Sequence, residues 1–424
     1  MSLKCDDTSP YVQRLHCTAY TASLQGRGPL PLIFAPFAWT ILLMAQNEPS
    51  DFSPEETRSF GADPIESFIT PRQFVDEQAG RMESNEGPLL IASCRAGDYM
   101  ARRVVGKYNE LVQRVENGAE VLAMESIDRD FTDTETGVRL PEHVGGADVF
   151  LFQALLSPPS GRTVNNNYMA LLLAARAFRE HGANRITAVL PYLTYARQDK
   201  PTKFQREPTA AKLMADISKT AGIERVIAWH PHSNQIHGFY ADMPVNMLDP
   251  QTMFTVEYDE FRNRSDVIAV APDAGATKMI LHFSRQMGVN SAIASKYRPQ
   301  QEEAVITDII GDFRQKKIAI VLDDMISSGN TIFELVQKLV EEKGVERVLI
   351  GASHNLCLAG TRDRLQQLHE DYNLERVTVT NSIPQTQEFE DLPFFHVRCL
   401  SEILCRTINR VHYNRSVSHI FQTR

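Results

Sequence analysis

The sequence predicts an α/β protein of two similar halves, each a mainly parallel sheet flanked by helices. From residue 88 onward, apolar runs of strand length alternate with helical stretches, the pattern that strand–helix–strand units impose. The runs are near-continuous Ile, Val, Leu and Ala rather than alternating apolar and polar, as strands buried on both faces require. The helical stretches end at Gly182, Gly222 and Gly344, residues suited to the left-handed backbone that closes a helix. No short-period repeat is present, which argues against a solenoid.

Residues 1–87 stand apart. The run PLPLIFAPFAWTILLMA, residues 29–45, carries no charge and is apolar enough to read as a signal core or a short membrane span. Pro29, Pro31 and Pro36 disfavour a helix there. Residues 48–87 are polar, acidic and punctuated by proline, and read as a linker or loosely ordered arm. Met44 sits at the boundary and leaves two readings open: translation begins there, or the upstream segment is an added N-terminal element. The first half follows over 88–250, with strand candidates PLLIAS, EVLAM, DVFLFQ, ITAVLP and RVIAW, and helices over 166–181 and 208–221, the latter with Pro208 in its first turn. The second half, 251–399, offers DVIAVAP, SAIAS, IAIVL, RVLIGA and RVTVT.

At 424 residues the chain has room for two or three domains and an ample core. A net charge of −9 without any long basic stripe excludes nucleic acid and an anionic membrane as expected partners. Six cysteines without CxxC spacing fit a reducing cytoplasm rather than a disulfide framework, and none reads as a zinc ligand. Walker, GxGxxG, HExxH and GxSxG motifs are absent, so ordinary P-loop kinases, dehydrogenases, zincins and serine hydrolases find no support.

The chemistry concentrates after strand ends. IAIVLDDMISSGNT, residues 318–331, is a buried strand running into Asp323 and Asp324 and then a small-residue loop that opens a helix. Ligands of parallel sheets lie beyond the carboxyl ends of the strands. Ser327, Ser328, Gly329, Asn330 and Thr331 supply hydroxyls and backbone N–H groups at a helix N-terminus, where an anion is favoured. The two aspartates can hold ribose hydroxyls or hydrated magnesium beside it. Apolar Ile332, Leu335, Val336, Leu339 and Val340 give the following helix its buried face. After ITAVLP comes YARQDKPTKFQREP, a basic loop with Arg197, Gln198, Lys200, Lys203 and Arg206, suited to a polyphosphate. HPHSNQIHGF follows RVIAW and places His232 as a candidate magnesium-site or phosphate ligand; His230 and His237 read as structural or solvated. APDAGATK follows DVIAV, with Asp273 either a magnesium carboxylate or a helix N-cap. FTDTE, residues 131–135, taken alone is an acidic turn; if extended, Asp133 and Glu135 project to one side. SKYR gives Lys296 and Arg298 a common projection before a mobile-looking polar stretch, which reads as two cations on a flexible loop able to close over a reacting phosphate.

In this order, from about residue 88 to the end, these segments resemble the ribose-phosphate pyrophosphokinases, the synthetases of phosphoribosyl pyrophosphate (PRPP); TNSIPQ and the closing INRVHYNRSVSHIF resemble that family's C-terminal segments. The resemblance implies two phosphoribosyltransferase-like domains. Residues 88–250 form the ATP side, completed by about 400–424, and 251–399 the ribose 5-phosphate side. It implies Mg²⁺ as cofactor, ATP and ribose 5-phosphate as substrates, and a homo-oligomer, a hexamer built from dimers. By the same resemblance Phe131, Asp133 and Glu135 recognise the adenine and ATP of a neighbouring subunit, and Arg197 and Gln198 bind ATP. His232 and Asp273 hold Mg-ATP, Lys296 and Arg298 are the catalytic cations, and Asp323, Asp324, Ser327, Ser328, Gly329, Asn330 and Thr331 bind ribose 5-phosphate. The chain departs from the family pattern at His230 and Ser327, both commonly Asp, at Asn330 and Thr134, both commonly Gly, and by one extra residue between Arg197 and Arg206. Two rivals stay open. A PRPP-using phosphoribosyltransferase would share the loop at Asp323 but leave the ATP segments unexplained; a silent regulatory paralogue would fit His230 and Ser327 but not the retained Lys296, Arg298, His232 and Asp273.

Overall fold

The computed structural model describes residues 68–73, 86–115, 121–297 and 305–421. The apolar run at 29–45, the choice between Met1 and Met44, Arg298 and the polar stretch after it lie outside the described residues.

The five apolar runs of the first half, joined by a sixth strand at one edge, fold into a wholly parallel sheet of order β2-β1-β5-β6-β7-β8. Its strands are β1 Leu89–Ser93, β2 Leu122–Met124, β5 Asp148–Phe152, β6 Arg185–Leu190, β7 Arg225–Trp229 and β8 Val245–Leu248. Between β2 and β5 the chain makes a separate two-stranded hairpin, β3 Asp128–Asp130 with β4 Thr136–Val138. The second half forms a seven-stranded sheet of order β11-β10-β9-β12-β13-β14-β15. Its strands are β9 Val267–Ala271, β10 Asn290–Tyr297, β11 Val305–Ile310, β12 Ile318–Ile326, β13 Arg347–Asn355, β14 Leu374–Thr380 and β15 Phe395–Arg398. Only β10 and β11 pair antiparallel. The mainly parallel α/β architecture predicted from the sequence is therefore the one observed.

Burial explains the unalternating strands. Ile320 and Leu322 belong to an apolar cluster that also takes in Phe150, Ile227 and Trp229 from the first sheet, whereas Ala319 and Val321 face a second cluster with the helices Asn330–Glu341 and Thr361–Asp371. Each of the larger aliphatic side chains here, fully withdrawn from water, stabilises the fold by about 1.5–3 kcal/mol. The other face of the first sheet packs on the helices Val164–Glu180 and Ala210–Ala221, and Gly182, Gly222 and Gly344 all take positive φ at or just beyond helix ends. The helix Ser401–His412 returns to pack on the helix Asp98–Val115. It is tied down by His412 Nδ1, 2.7 Å from the buried Asp148 carboxylate that also receives Arg185. Part of the segment that reads as a polar arm docks here too. Phe68 is buried edge-on to Tyr108, and the backbone of Ile69 exchanges two 3.0 Å hydrogen bonds with the Asn409 side chain.

Candidate active site

The sequence places Asp323 and Asp324 just past a strand end; in the structure the strand runs on through them. β12 pairs with β9 only as far as Val321, but with β13 as far as Ile326. The two carboxylates thus stand on an overhang, beside the opening where β9 has already stopped. The loop of residues 327–329 follows. Gly329 is buried, takes φ +80° and begins the helix Asn330–Glu341. Among the described residues the N–H groups of 327–331 donate to no protein acceptor, the state of a helix N-terminus open to an anion. Thr361 Oγ1 donates to the Ser327 carbonyl at 2.8 Å, and Arg364 Nη1 to the Ser328 carbonyl at 3.0 Å.

His232 sits after β7, and its Nδ1 lies 2.5 Å from Asp324 Oδ2, so one hydrogen bond joins a loop of the first sheet to a strand of the second. That bond raises the imidazole above its ordinary value against the opposing effect of burial. Burial pushes the Asp324 carboxyl up, but the bond to His232 and its charge bring it below the usual range. Asp323 is pushed well above that range by burial, then by the charges of Asp324 and Asp273. His230, left open by the sequence as structural or solvated, is structural. It takes φ +38°, its Nδ1 lies 2.5 Å from Ser353 Oγ, and its carbonyl lies 3.1 Å from His354 Nε2. His354 in turn meets Ser382 Oγ at 2.7 Å. Burial lowers both imidazoles to about 4. Nothing local marks Ser353 and His354, and TNSIPQ does not by itself point Ser382 at this loop, because all three fall more than 100 residues after it.

Asp273 lies three residues before the cap of the following helix, Ala276, and so is not its N-cap but braces the turn ahead of it. Its Oδ1 accepts from the N–H groups of Gly275 (2.8 Å) and Ala276 (3.3 Å), bracing the turn into the helix Thr277–Met287, while Oδ2 faces Lys296 Nζ at 3.3 Å. Lys296 lies on β10 itself rather than on a loop. The register with β11 jumps between Ser295 and Lys296, a bulge of the kind that re-aims a side chain beside an active site. Arg298, its expected companion, is outside the described residues.

These elements surround one cleft of about 1660 Å³, larger than the roughly 300–1,000 Å³ usual for a single small ligand. Arg197, His232, Asp273, Lys296, Asp323, Asp324, Ser327, Ser328, Gly329 and Thr331 all line it. So do Lys200 and Lys203 of the basic loop. Gln198 and Asn330 do not, and Asn330 is exposed.

Phe131, Asp133 and Glu135 are not in the cleft. They form the tip of the β3–β4 hairpin, a tight turn rather than an extended loop: Phe131 N–H donates to the Glu135 carbonyl at 2.8 Å, and Glu135 N–H to Asp133 Oδ1 at 3.1 Å. Phe131 is 45 % exposed, with Arg129 5.0 Å from its ring centre and its edge against Gly137, where a Cβ would come within 2.7 Å. The root is pinned by Arg162, 2.7 Å from both Asp128 and Asp130, and by Arg95, 2.7 Å from Asp130.

An overhanging strand that carries paired carboxylates into an N–H-rich helix start, over a cleft large enough for two phosphorylated ligands, defines a phosphoribosyltransferase-like α/β protein. The sequence pattern of the N-terminal domain of ribose phosphate pyrophosphokinase matches residues 103–222, and that of the phosphoribosyl synthetase-associated domain matches residues 275–422. The chain is 33 % identical over 314 residues to the ribose-phosphate pyrophosphokinase of Chromobacterium violaceum, covering 74 % of this chain and 91 % of that one. To its counterpart in Clostridium acetobutylicum it is 36 % identical over 293 residues, covering 69 % and 88 %. The crystal structure of phosphoribosylpyrophosphate synthetase from Mycobacterium smegmatis superposes with a TM-score of 0.65 at 31 % identity, over 77 % of this chain and 99 % of that one. The chain belongs to the ribose-phosphate pyrophosphokinase family.

Proposed function

We propose that the protein transfers the β,γ-diphosphoryl group of ATP to the 1-hydroxyl of ribose 5-phosphate, giving PRPP and AMP. The observation that carries this reading is one cleft lined both by residues 327–329 and Thr331 and by Arg197, His232, Asp273 and Lys296. In it the loop N–H groups and Ser327, Ser328 and Thr331 hold the sugar phosphate, while Asp323 and Asp324 accept from the ribose hydroxyls. Arg197 and the basic loop hold the ATP phosphates. The 1-hydroxyl attacks the β-phosphorus, the bond from that phosphorus to the AMP oxygen breaks, and the protein contributes alignment and charge. Lys296 is placed to leave Asp273 and stabilise the charge that grows on the departing AMP, with Arg298 assigned the same task.

Among the described residues no three His, Cys, Asp or Glu side chains form a metal cage. That suits Mg²⁺, which uses one or two carboxylates together with substrate phosphates and water. The donor set fits: Asp273 and His232 both line the cleft, and Asp323, raised first by burial, is raised further by the charges of Asp324 and Asp273, which a bound cation would offset. Asp273 and His232 would hold the ion, which when bound neutralises the phosphates and orients them. The exposed hairpin tip supports a homo-oligomer, a hexamer built from dimers, in which Phe131, Asp133 and Glu135 complete the nucleotide site of a neighbour and Gln198 stays on the ATP side. The four described cysteines are free thiols, in keeping with the cytoplasm as the compartment.

The test is AMP formation from ATP, with ribose 5-phosphate and Mg²⁺ each omitted in turn. Activity that needs both supports the reading; no AMP from an intact, folded oligomer would establish the silent paralogue, and PRPP consumption with a purine would establish the transferase.

A further inference from the structure

We propose that Thr361 and Arg364, at the start of the helix Thr361–Asp371, are positioning residues that fix the anion-binding form of the sugar-phosphate loop and set the affinity for the phosphorylated sugar. The proposal rests on the functional reading above.

The loop's geometry follows from its trans peptides. The described residues contain no cis bond, so each C=O and the N–H that follows it point to opposite sides. Thr361 Oγ1 holds the Ser327 carbonyl, and Arg364 Nη1 holds the next one, that of Ser328. Two consecutive carbonyls drawn toward this helix turn the N–H groups of Ser328 and Gly329 away from it. Those N–H groups have no protein acceptor, and both residues line the cleft. The loop is thereby held in the anion-binding form before any anion arrives.

Packing enforces the arrangement. Thr361 is fully buried. A Cβ on Gly329 would lie 3.4 Å from Thr361 Cγ2 and 3.7 Å from Arg364 Cδ, and one on Gly360 would lie 2.9 Å from Arg364 Nη1. The two glycines, both at positive φ, let the loop and the guanidinium approach this closely. Charge adds to the geometry. Arg364 makes no ion pair with a carboxylate among the described residues, Asp363 beside it being paired with Arg362. Behind the phosphate loop therefore stands an uncompensated guanidinium, and the loop itself opens with neutral Ser327. Both favour an anion.

The test measures ribose 5-phosphate binding to the full-length protein by calorimetry, with kcat and both KM values, for Arg364→Gln, Arg364→Lys, Thr361→Val and Thr361→Ser. Arg364→Gln is expected to weaken ribose 5-phosphate about tenfold, the scale of a hydrogen bond from a charged group, with the KM for ATP within about twofold. Arg364→Lys keeps the charge but not the planar fork and should recover part of the loss. Thr361→Val should behave like Arg364→Gln, and Thr361→Ser should restore binding. Unchanged ribose 5-phosphate affinity in Arg364→Gln and Thr361→Val overturns the proposal while leaving the function intact. Equal damage to both substrates with a lowered Tm also overturns it, by reducing the pair to a folding role. A wild-type protein that does not bind ribose 5-phosphate sinks the functional reading itself.

Discussion

Two turns of this molecule, both proposed above to meet a substrate, are built in opposite ways. The sugar-phosphate loop is buried at Gly329, its carbonyls are held by Thr361 and Arg364, and its open N–H groups lie on the cleft. The hairpin tip at 131–135 is held chiefly by its own backbone, leaves Phe131 and both carboxylates exposed, and is anchored only at its root by Arg95 and Arg162. The first is organised before its ligand arrives, and everything it needs comes from its own chain. The second presents recognition groups with no cleft of their own, as an element serving another subunit would.

The largest expected effect lies at the cleft floor. Lys296→Ala should lower kcat by about a hundredfold or more with a much smaller change in ATP binding, as expected for charge stabilisation confined to the transition state. Near-normal turnover would remove Lys296 from the chemistry. Next is the loop. Gly329→Val imposes a β-branched side chain on φ +80° against Thr361, a strain of about 1–3 kcal/mol. It should raise the KM for ribose 5-phosphate by about tenfold or more, well beyond any change for ATP; equal changes would mean general misfolding.

A smaller, pH-dependent effect is expected where His232 meets Asp324. The folded imidazole holds its proton more tightly than the unfolded one. Its stabilisation is therefore complete below the unfolded value of about 6.5, and is lost as the pH rises through the folded value. Asp324, held below its ordinary value, contributes above about 3.9 and loses that contribution as the pH falls through its folded value. Denaturation without metal should show wild type exceeding His232→Gln by more at pH 6 than at pH 9; a constant gap would show that the pair is not ionic. The smallest effect concerns the hairpin. Thr134 sits at φ +76°, where a β-branched residue is strained by about 1–2 kcal/mol. Thr134→Gly should raise Tm by about 2 °C without touching the ribose 5-phosphate KM.

The sequence made the strands of both sheet centres legible, because burial on both faces leaves an unbroken apolar run. It also marked the loop after Asp324, Asp273 and His232, which all follow such runs. β3, β4, β8, β11 and β15 escape because they are short or edge elements whose polar residues, as in Asp128 and Asp130, break the run. Lys296 reads as a loop residue because nothing local announces a strand that continues through a bulge. Thr361, Arg364, Ser353 and His354 were not seen at all, since their partners are distant in sequence and only the sheet order brings them together. Phe68 was hidden inside a polar stretch for the same reason.

The contrast between the two turns is tested most directly by subunit complementation. Asp133→Ala damages the hairpin and Lys296→Ala the cleft, so each homo-oligomer should be nearly inactive in forming AMP from ATP and ribose 5-phosphate. Co-assembled from the two variants, the protein should regain part of its activity, because some clefts with intact Lys296 then receive an intact Asp133 from a neighbour; mixing without subunit exchange should restore nothing. True hetero-oligomers as inactive as either parent would contradict the account and return Asp133 to its own chain.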